Sequence, residues 1–204
     1  MGLLDGLRRL VGLADPSPAE RPTPKVVITV ERSAGPNRRP TPPEERHYLS
    51  AEEAVELLVP GGDGHLPVRI RDGFFEHAPT GRRVTAANRT LNAHGLLSFK
   101  VRGNAYYESK AADTRPGKPA FLVRDPDNKH DPHAVAVYAE GRPGERLQVG
   151  HVNKGLARRL AKRLDSGETI SAWFMRGDPP GKEGEGVPCV VLTDEEGIAR
   201  LLGT

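Results

Sequence analysis

Between Leu97 and Arg102 the chain alternates strictly. Leu97, Phe99 and Val101 are apolar while Ser98, Lys100 and Arg102 are polar, which predicts a half-buried strand with one basic face. Two further arms, Phe121–Val123 and Ala134–Tyr138, have the β-branched and aromatic content of paired strands. Leu147–Val152, Ile170–Met175 and Val187–Leu192 predict three more, the last two separated by the Gly/Pro-rich stretch Arg176–Gly186. From Lys154 to Leu164 the period changes to that of a helix: Leu156, Leu160 and Leu164 recur every fourth position beside Ala157 and Ala161, and Gly167 closes the run. Asp194–Leu202 predicts a final short helix. Five or more short strands with one substantial helix predict a mainly β fold with some α, a small and partly open β-barrel carrying one or two packed helices.

The N-terminal stretch is patterned differently. Leu3, Leu4, Leu7, Leu10, Val11 and Ala14 fall at helical spacing, opposite Arg8 and Arg9, so residues 1–15 predict a short amphipathic helix. Asp5, Gly6 and the two arginines interrupt it too often for a secretory signal. Residues 16–46 hold eight prolines and read as a semi-extended linker. One island in it, Val26–Val30, is expected to dock on a sheet edge, because an exposed edge of that kind invites aggregation. Ser50 and Glu53 make a capping box ahead of Ala54–Leu58, Pro60-Gly61 stops that helix, and Leu66–Ile70 predicts a strand. The remainder of residues 47–95 reads as a polar connection. This stretch is therefore a small helix–strand extension of the main domain at 96–193, and 194–204 holds the C-terminal helix.

The two arms at Phe121–Val123 and Ala134–Tyr138 flank RDPDNKHDPH, a loop too long for a tight hairpin. Proline after Asp125 and after Asp131 holds both aspartates extended, and Asn128 and the Asp side chains can bond their own backbone. A stiff polar loop on a sheet is a common way to present a site. With Gly103–Tyr107 (GNAYY) before it and Val149–Val152 (VGHV) after it, this segment resembles a HIRAN domain, over roughly residues 96 to 193. The resemblance implies a small barrel related in shape to the OB-fold, with single-stranded DNA held in a groove lined by Tyr106 and Tyr107. It further implies that Asp131 accepts a hydrogen bond from a free 3′-hydroxyl, with Asn128 and His130 beside it and His151 and Lys154 near the DNA backbone. Two positions depart from the family pattern: His130 stands where relatives carry an aromatic ring, and Ala105 where they carry a basic residue. A second base-stacking aromatic is open between Trp173 and Phe174.

Charge agrees with a polyanion partner. The net charge is +3, but residues 69–170 carry 19 basic and 11 acidic side chains while both flanks are acidic. No acid stands between Lys154 and Leu164, where Lys154, Arg158 and Lys162 share a helical face, reinforced by Arg159 and Arg163. The alternative is a basic solvated face, as Tyr106-Tyr107 can be ordinary strand residues and Asp131 a turn cap. Only 36% of the chain is hydrophobic, and Gly and Pro together number 42, which assigns part of the length to loops.

Several chemistries are set aside. One cysteine, Cys189, leaves no internal disulfide and no Cys-rich zinc site, and points to a reduced, cytoplasmic setting. No apolar run approaches the ~20 residues of a membrane helix. His130, His133 and His151 lack standard zinc spacing, and the calcium-loop likeness of Asp125, Asp127 and Asp131 fails at Lys129, His130 and Ala136, so neither metal nor cofactor is expected. P-loop, G-x-S-x-G and H-E-x-x-H motifs are missing. The expectation is a non-enzymatic module for single-stranded DNA or its 3′ end in DNA repair or processing, with residues 1–46 reaching a protein partner. The rival is a protein-interaction adaptor that keeps the fold without binding DNA.

Overall fold

The computed structural model describes residues 47–107, 109–182 and 186–204. The predicted N-terminal helix and the Val26–Val30 island lie outside them. The capping box forms as read: the Ser50 hydroxyl accepts from Glu53 N at 3.2 Å and Ser50 N donates to the Glu53 carboxylate at 2.8 Å, opening helix α1 (Ala51–Leu57).

The expected strand at Leu66–Ile70 forms over Val68–Arg71, and the stretch read as a polar connection folds onto it. Strands β1 (Val68–Arg71), β2 (Phe74–His77) and β3 (Arg83–Val84) form an antiparallel meander, followed by helix α2 (Arg89–Ala93). Asp72-Gly73 turns the first hairpin, with φ of 51° and 76°. Left-handed angles at both central residues are what a twisted two-residue hairpin needs, and Asp-Gly is the dipeptide that supplies them. Gly73 has a second reason to be glycine: a Cβ there would stand 2.6 Å from the Arg176 side chain. Asn88 caps α2, its side chain accepting from Thr90 N at 2.9 Å.

Strand β4 (Leu97–Lys100) follows, then a 3-10 turn at Asn104–Tyr106 and another at Ser109–Ala111. The chain continues through β5 (Phe121–Arg124), β6 (Val135–Glu140), β7 (Arg146–His151), helix α3 (Lys154–Asp165), β8 (Ala172–Arg176), β9 (Cys189–Leu192) and helix α4 (Glu195–Leu202). Two antiparallel sheets result, β4-β9-β8 and β5-β6-β7. Neither closes on itself, so the mainly β architecture is barrel-like without a continuous barrel ladder. The sheets meet at two short seams. At one, Arg102 and His151 exchange backbone hydrogen bonds of 2.8 and 2.9 Å; at the other, Ala120 N reaches Ala172 O and Phe174 N reaches Lys118 O, both at 2.8 Å.

Between the sheets lies one core, built on Phe99, Val135, Val137, Val149, Phe174 and Val190, and covered by the Ala157, Leu160 and Ala161 face of α3. The opposite face of β4-β9-β8 buries a second core, where Met175, Cys189 and Val191 meet Leu58, Phe75, Leu91 and Leu201. All four residues of β9 are therefore buried, which suits its unbroken apolar run.

Candidate nucleic-acid interface

The site is made where β7 crosses the end of β4. Between Val137 and Tyr138 the β6–β7 register shifts by one residue, leaving Val149 as a bulge, and Gly150 follows with φ 143°. A Cβ on Gly150 would stand 2.4 Å from the Arg102 carbonyl, so only glycine allows the two backbones to pair here. Bulges re-aim the side chains that follow them. The one that follows is His151.

On the other side of the seam, Gly103 adopts a left-handed conformation (φ 73°) and starts the 3-10 turn that carries the tyrosines. They are turn residues, not strand residues, because the Arg102 pairing ends at once and the chain bends away. Tyr106 is 90% exposed, a ring with little intramolecular packing to lose. Tyr107 is half-buried, its hydroxyl 3.2 Å from His151 Nδ1 and the two rings tilted 57° at 5.8 Å. Burial, followed by the negative charge of Asp125, holds the Tyr107 phenol above its ordinary value.

The loop from β5 to β6 is tied by its own side chains. The Asn128 carbonyl accepts from His130 N at 3.0 Å and Asp131 N at 3.3 Å, and its amide donates to Asp125 at 2.8 Å. Asp131 Oδ1 accepts from His133 N at 2.8 Å. Arg124 forks beneath the loop, donating to Ala134 O at 2.6 Å and Pro132 O at 3.2 Å and pairing with Asp165 at 2.8 Å. Asp125 accepts from Asn128 and stands 3.1 Å from His151 Nε2; those bonds, the Asn128 one foremost, hold its carboxyl below the usual range.

These parts enclose an open cleft of about 860 Å³. Tyr106, Tyr107, Asn128, His130, Asp131, His151 and Lys154 all line it, together with Arg102 and Asn153. Asn153 caps α3 by accepting from Leu156 N at 3.1 Å, and since Asn153 and Lys154 both line the cleft, the twelve-residue helix begins at its edge. The surroundings combine an exposed aromatic ring, a carboxylate, two cations and a helix N-terminus.

Residues 94–181 match the family model of the HIRAN domain. This stretch of the chain is a HIRAN domain. HIRAN domains are generally DNA-binding modules, which supports nucleic-acid binding by this one. No curated protein matches the chain. Among solved structures, the crystal structure of the HIRAN domain of human HLTF is similar at 26% identity, covering 52% of this chain and 82% of that one, with a TM-score of 0.38.

Within the HIRAN domain, Arg158 lies outside the cleft, on the exposed face of α3 one turn beyond Lys154. Lys154, Arg158, Arg159 and Lys162 carry no ion pair among the described residues, whereas Arg163 is bound to Glu168. Trp173 and Phe174 both stay out of the cleft. Phe174 is wholly buried in the barrel core, and the Trp173 indole donates to Thr193 O at 3.1 Å. His133 also lies apart, and no cluster of three His, Cys, Asp or Glu side chains able to hold a metal occurs among the described residues. Two participants escaped the sequence reading. Asp125 looked like a turn residue because its partner His151 is distant in sequence, and Arg102 was legible only as part of a basic strand face.

Proposed function

We propose that the HIRAN domain of this chain binds single-stranded DNA in the cleft and reads a free 3′-hydroxyl end, serving DNA repair or processing. One observation carries this reading: Tyr106, Asp131, His151 and Lys154, from three separate segments, line a single cleft. A base stacked on the open face of Tyr106 gains roughly 1–3 kcal/mol whatever its identity. Lys154 and the amides at the start of α3 take the neighbouring phosphate, and Arg158 takes one farther along the helix. Asp131 uses one carboxylate oxygen to hold the loop; its other oxygen has no partner among the described residues. A carboxylate there repels a strand that continues in another phosphate and accepts from one that ends in a hydroxyl. Residues 1–46 tether the module to a protein partner.

The test is fluorescence anisotropy with short labelled oligonucleotides bearing 3′-hydroxyl or 3′-phosphate ends. The hydroxyl form is expected to bind about tenfold more tightly, the size of one charge-assisted hydrogen bond. Equal affinities would remove the end-reading role of Asp131 and leave strand binding. No binding of either at low salt would favour the adaptor.

A further inference from the structure

His151 is placed between two oxygens that constrain each other through it. Its Nε2 lies 3.1 Å from the Asp125 carboxylate, and its Nδ1 lies 3.2 Å from the Tyr107 hydroxyl. An ionised carboxylate can only accept, so the proton shared with Asp125 sits on Nε2. In the neutral ring Nδ1 is then a bare lone pair, and among the described residues the only donor facing it is the Tyr107 O–H. Two amides also face Nε2, Gln148 at 3.4 Å and Asn128 at 3.5 Å, but Asn128 gives its short bond to Asp125 instead.

We infer that Asp125 is a positioning residue of the cleft: by taking the Nε2 proton of His151 it makes Nδ1 an acceptor. That turns the Tyr107 hydroxyl proton inward and leaves the phenol oxygen's lone pairs facing the ligand. Tyr107 thereby presents an acceptor, as Asp131 does, and the pair favours a ligand hydroxyl over a ligand phosphate. This selection rests on the DNA-end reading above; the relay itself does not. The groups facing the ring are Asp125 and Asn128 from the loop, Tyr107 from the turn and Gln148 from β7, and Arg102, His130, Asp131 and Lys154 line the same cleft. The depressed carboxyl of Asp125 keeps it ionised, and so an acceptor only, at neutral pH.

Two measurements on the full chain decide this. Long-range proton–nitrogen correlation on ¹⁵N-labelled protein reads the His151 tautomer directly. At neutral pH the wild type is expected to carry the proton on Nε2. Asp125→Ala, which leaves the Gln148 and Asn128 amides to donate to Nε2, is expected to move it to Nδ1. Asp125→Asn preserves the loop and can still accept, so it should keep the wild-type tautomer. A wild-type proton on Nδ1 overturns the inference without recourse to any variant.

The second measurement is the affinity ratio of 3′-hydroxyl to 3′-phosphate oligonucleotides. It should shrink about fivefold in Asp125→Ala and in Tyr107→Phe, roughly one hydrogen bond's worth, and no further in the double variant. Independent, multiplicative losses in the double variant would overturn the coupling. If the wild type binds neither oligonucleotide, the DNA reading falls and the tautomer alone decides: Nε2–H upholds the relay, Nδ1–H refutes it.

Discussion

The two sides of the β4-β9-β8 sheet treat charge in opposite ways. On the side of α1 and the β1-β2-β3 meander, Arg69, Arg82 and Arg83 are closed off by the protein itself. Arg82 reaches both Glu53 oxygens at 2.8 and 2.9 Å, Arg69 pairs with Glu76, and Arg83 lies over the Phe74 ring at 4.1 Å. On the barrel side, Lys154, Arg158, Arg159 and Lys162 project from α3 with no ion pair among the described residues, and Arg102 and Lys154 line the cleft. Both regions bury a comparable apolar core, so packing does not tell them apart. Open charge does. A surface that leaves its cations unpaired beside an exposed tyrosine is suited to an anion from outside, and the paired surface is suited to holding its own elements together.

That contrast can be broken most severely through the shared sheet. Phe174→Ala empties a fully buried site and is expected to cost about 3–5 kcal/mol of stability, read by thermal or denaturant unfolding. Because β8 and β9 serve both cores, one cooperative transition should move as a whole; two transitions would mean that the regions fold apart. Gly150→Ala is next. It meets the Arg102 carbonyl at 2.4 Å in a conformation L residues rarely adopt, for a cost of about 1–3 kcal/mol. Since the clash lies at the cleft, oligonucleotide affinity should fall even where the variant remains folded.

Smaller changes sharpen the comparison. Lys154→Ala should weaken oligonucleotide binding with little sequence dependence and reduce the slope of log affinity against log salt by about 0.7, one phosphate's share for a single strand. Arg158→Ala should do the same more weakly, with stability unchanged within about 0.5 kcal/mol, whereas Arg82→Ala should lower the melting temperature and leave affinity alone. A reversed pattern would undo the assignment of roles. The smallest effect is on acid stability. The Arg82 guanidinium, with help from Ser50, pulls the Glu53 carboxyl from 4.5 to about 2. A depressed carboxyl contributes stability that is fully present above its unfolded value and is lost as pH falls toward its folded one. Glu53→Gln should therefore flatten the acid limb between 4.5 and about 2, as followed by circular dichroism.

Much of this was legible before any coordinates. The DPDNKHDPH loop declares its stiffness through two Asp-Pro steps, and Asn128 and Asp131 bond backbone amides two or three residues away, within reach of local reasoning. Helix α3 and its two faces follow from a period of 3.6, and the predicted Ser50 capping box is in place. What was missed divides by cause. Of the meander at Val68–Val84 only the first strand was read, as Leu66–Ile70; the two that follow were passed over although Asp72-Gly73 signals a hairpin, because they are four and two residues long and their alternation is too brief to read. The tyrosine turn was missed because Tyr106-Tyr107 has the composition of a strand, although Gly103-Asn104 just before it is a turn signal; what ends the strand is the pairing of Arg102 with His151, distant in sequence.

The sequence by itself determined which residues are polar, stiff, aromatic or cationic, and roughly where each strand and helix begins. These properties depend on neighbours within a few positions, and local sterics and periodicity express them directly. Only the tertiary structure decided that Asp125, Tyr107 and His151 form one relay, that Arg102 faces the same cleft as Lys154, and that Phe174 and Trp173 do not. Such meetings depend on two sheets joining at short seams and on a bulge turning His151 inward. They are set by packing between distant segments, which no local pattern encodes.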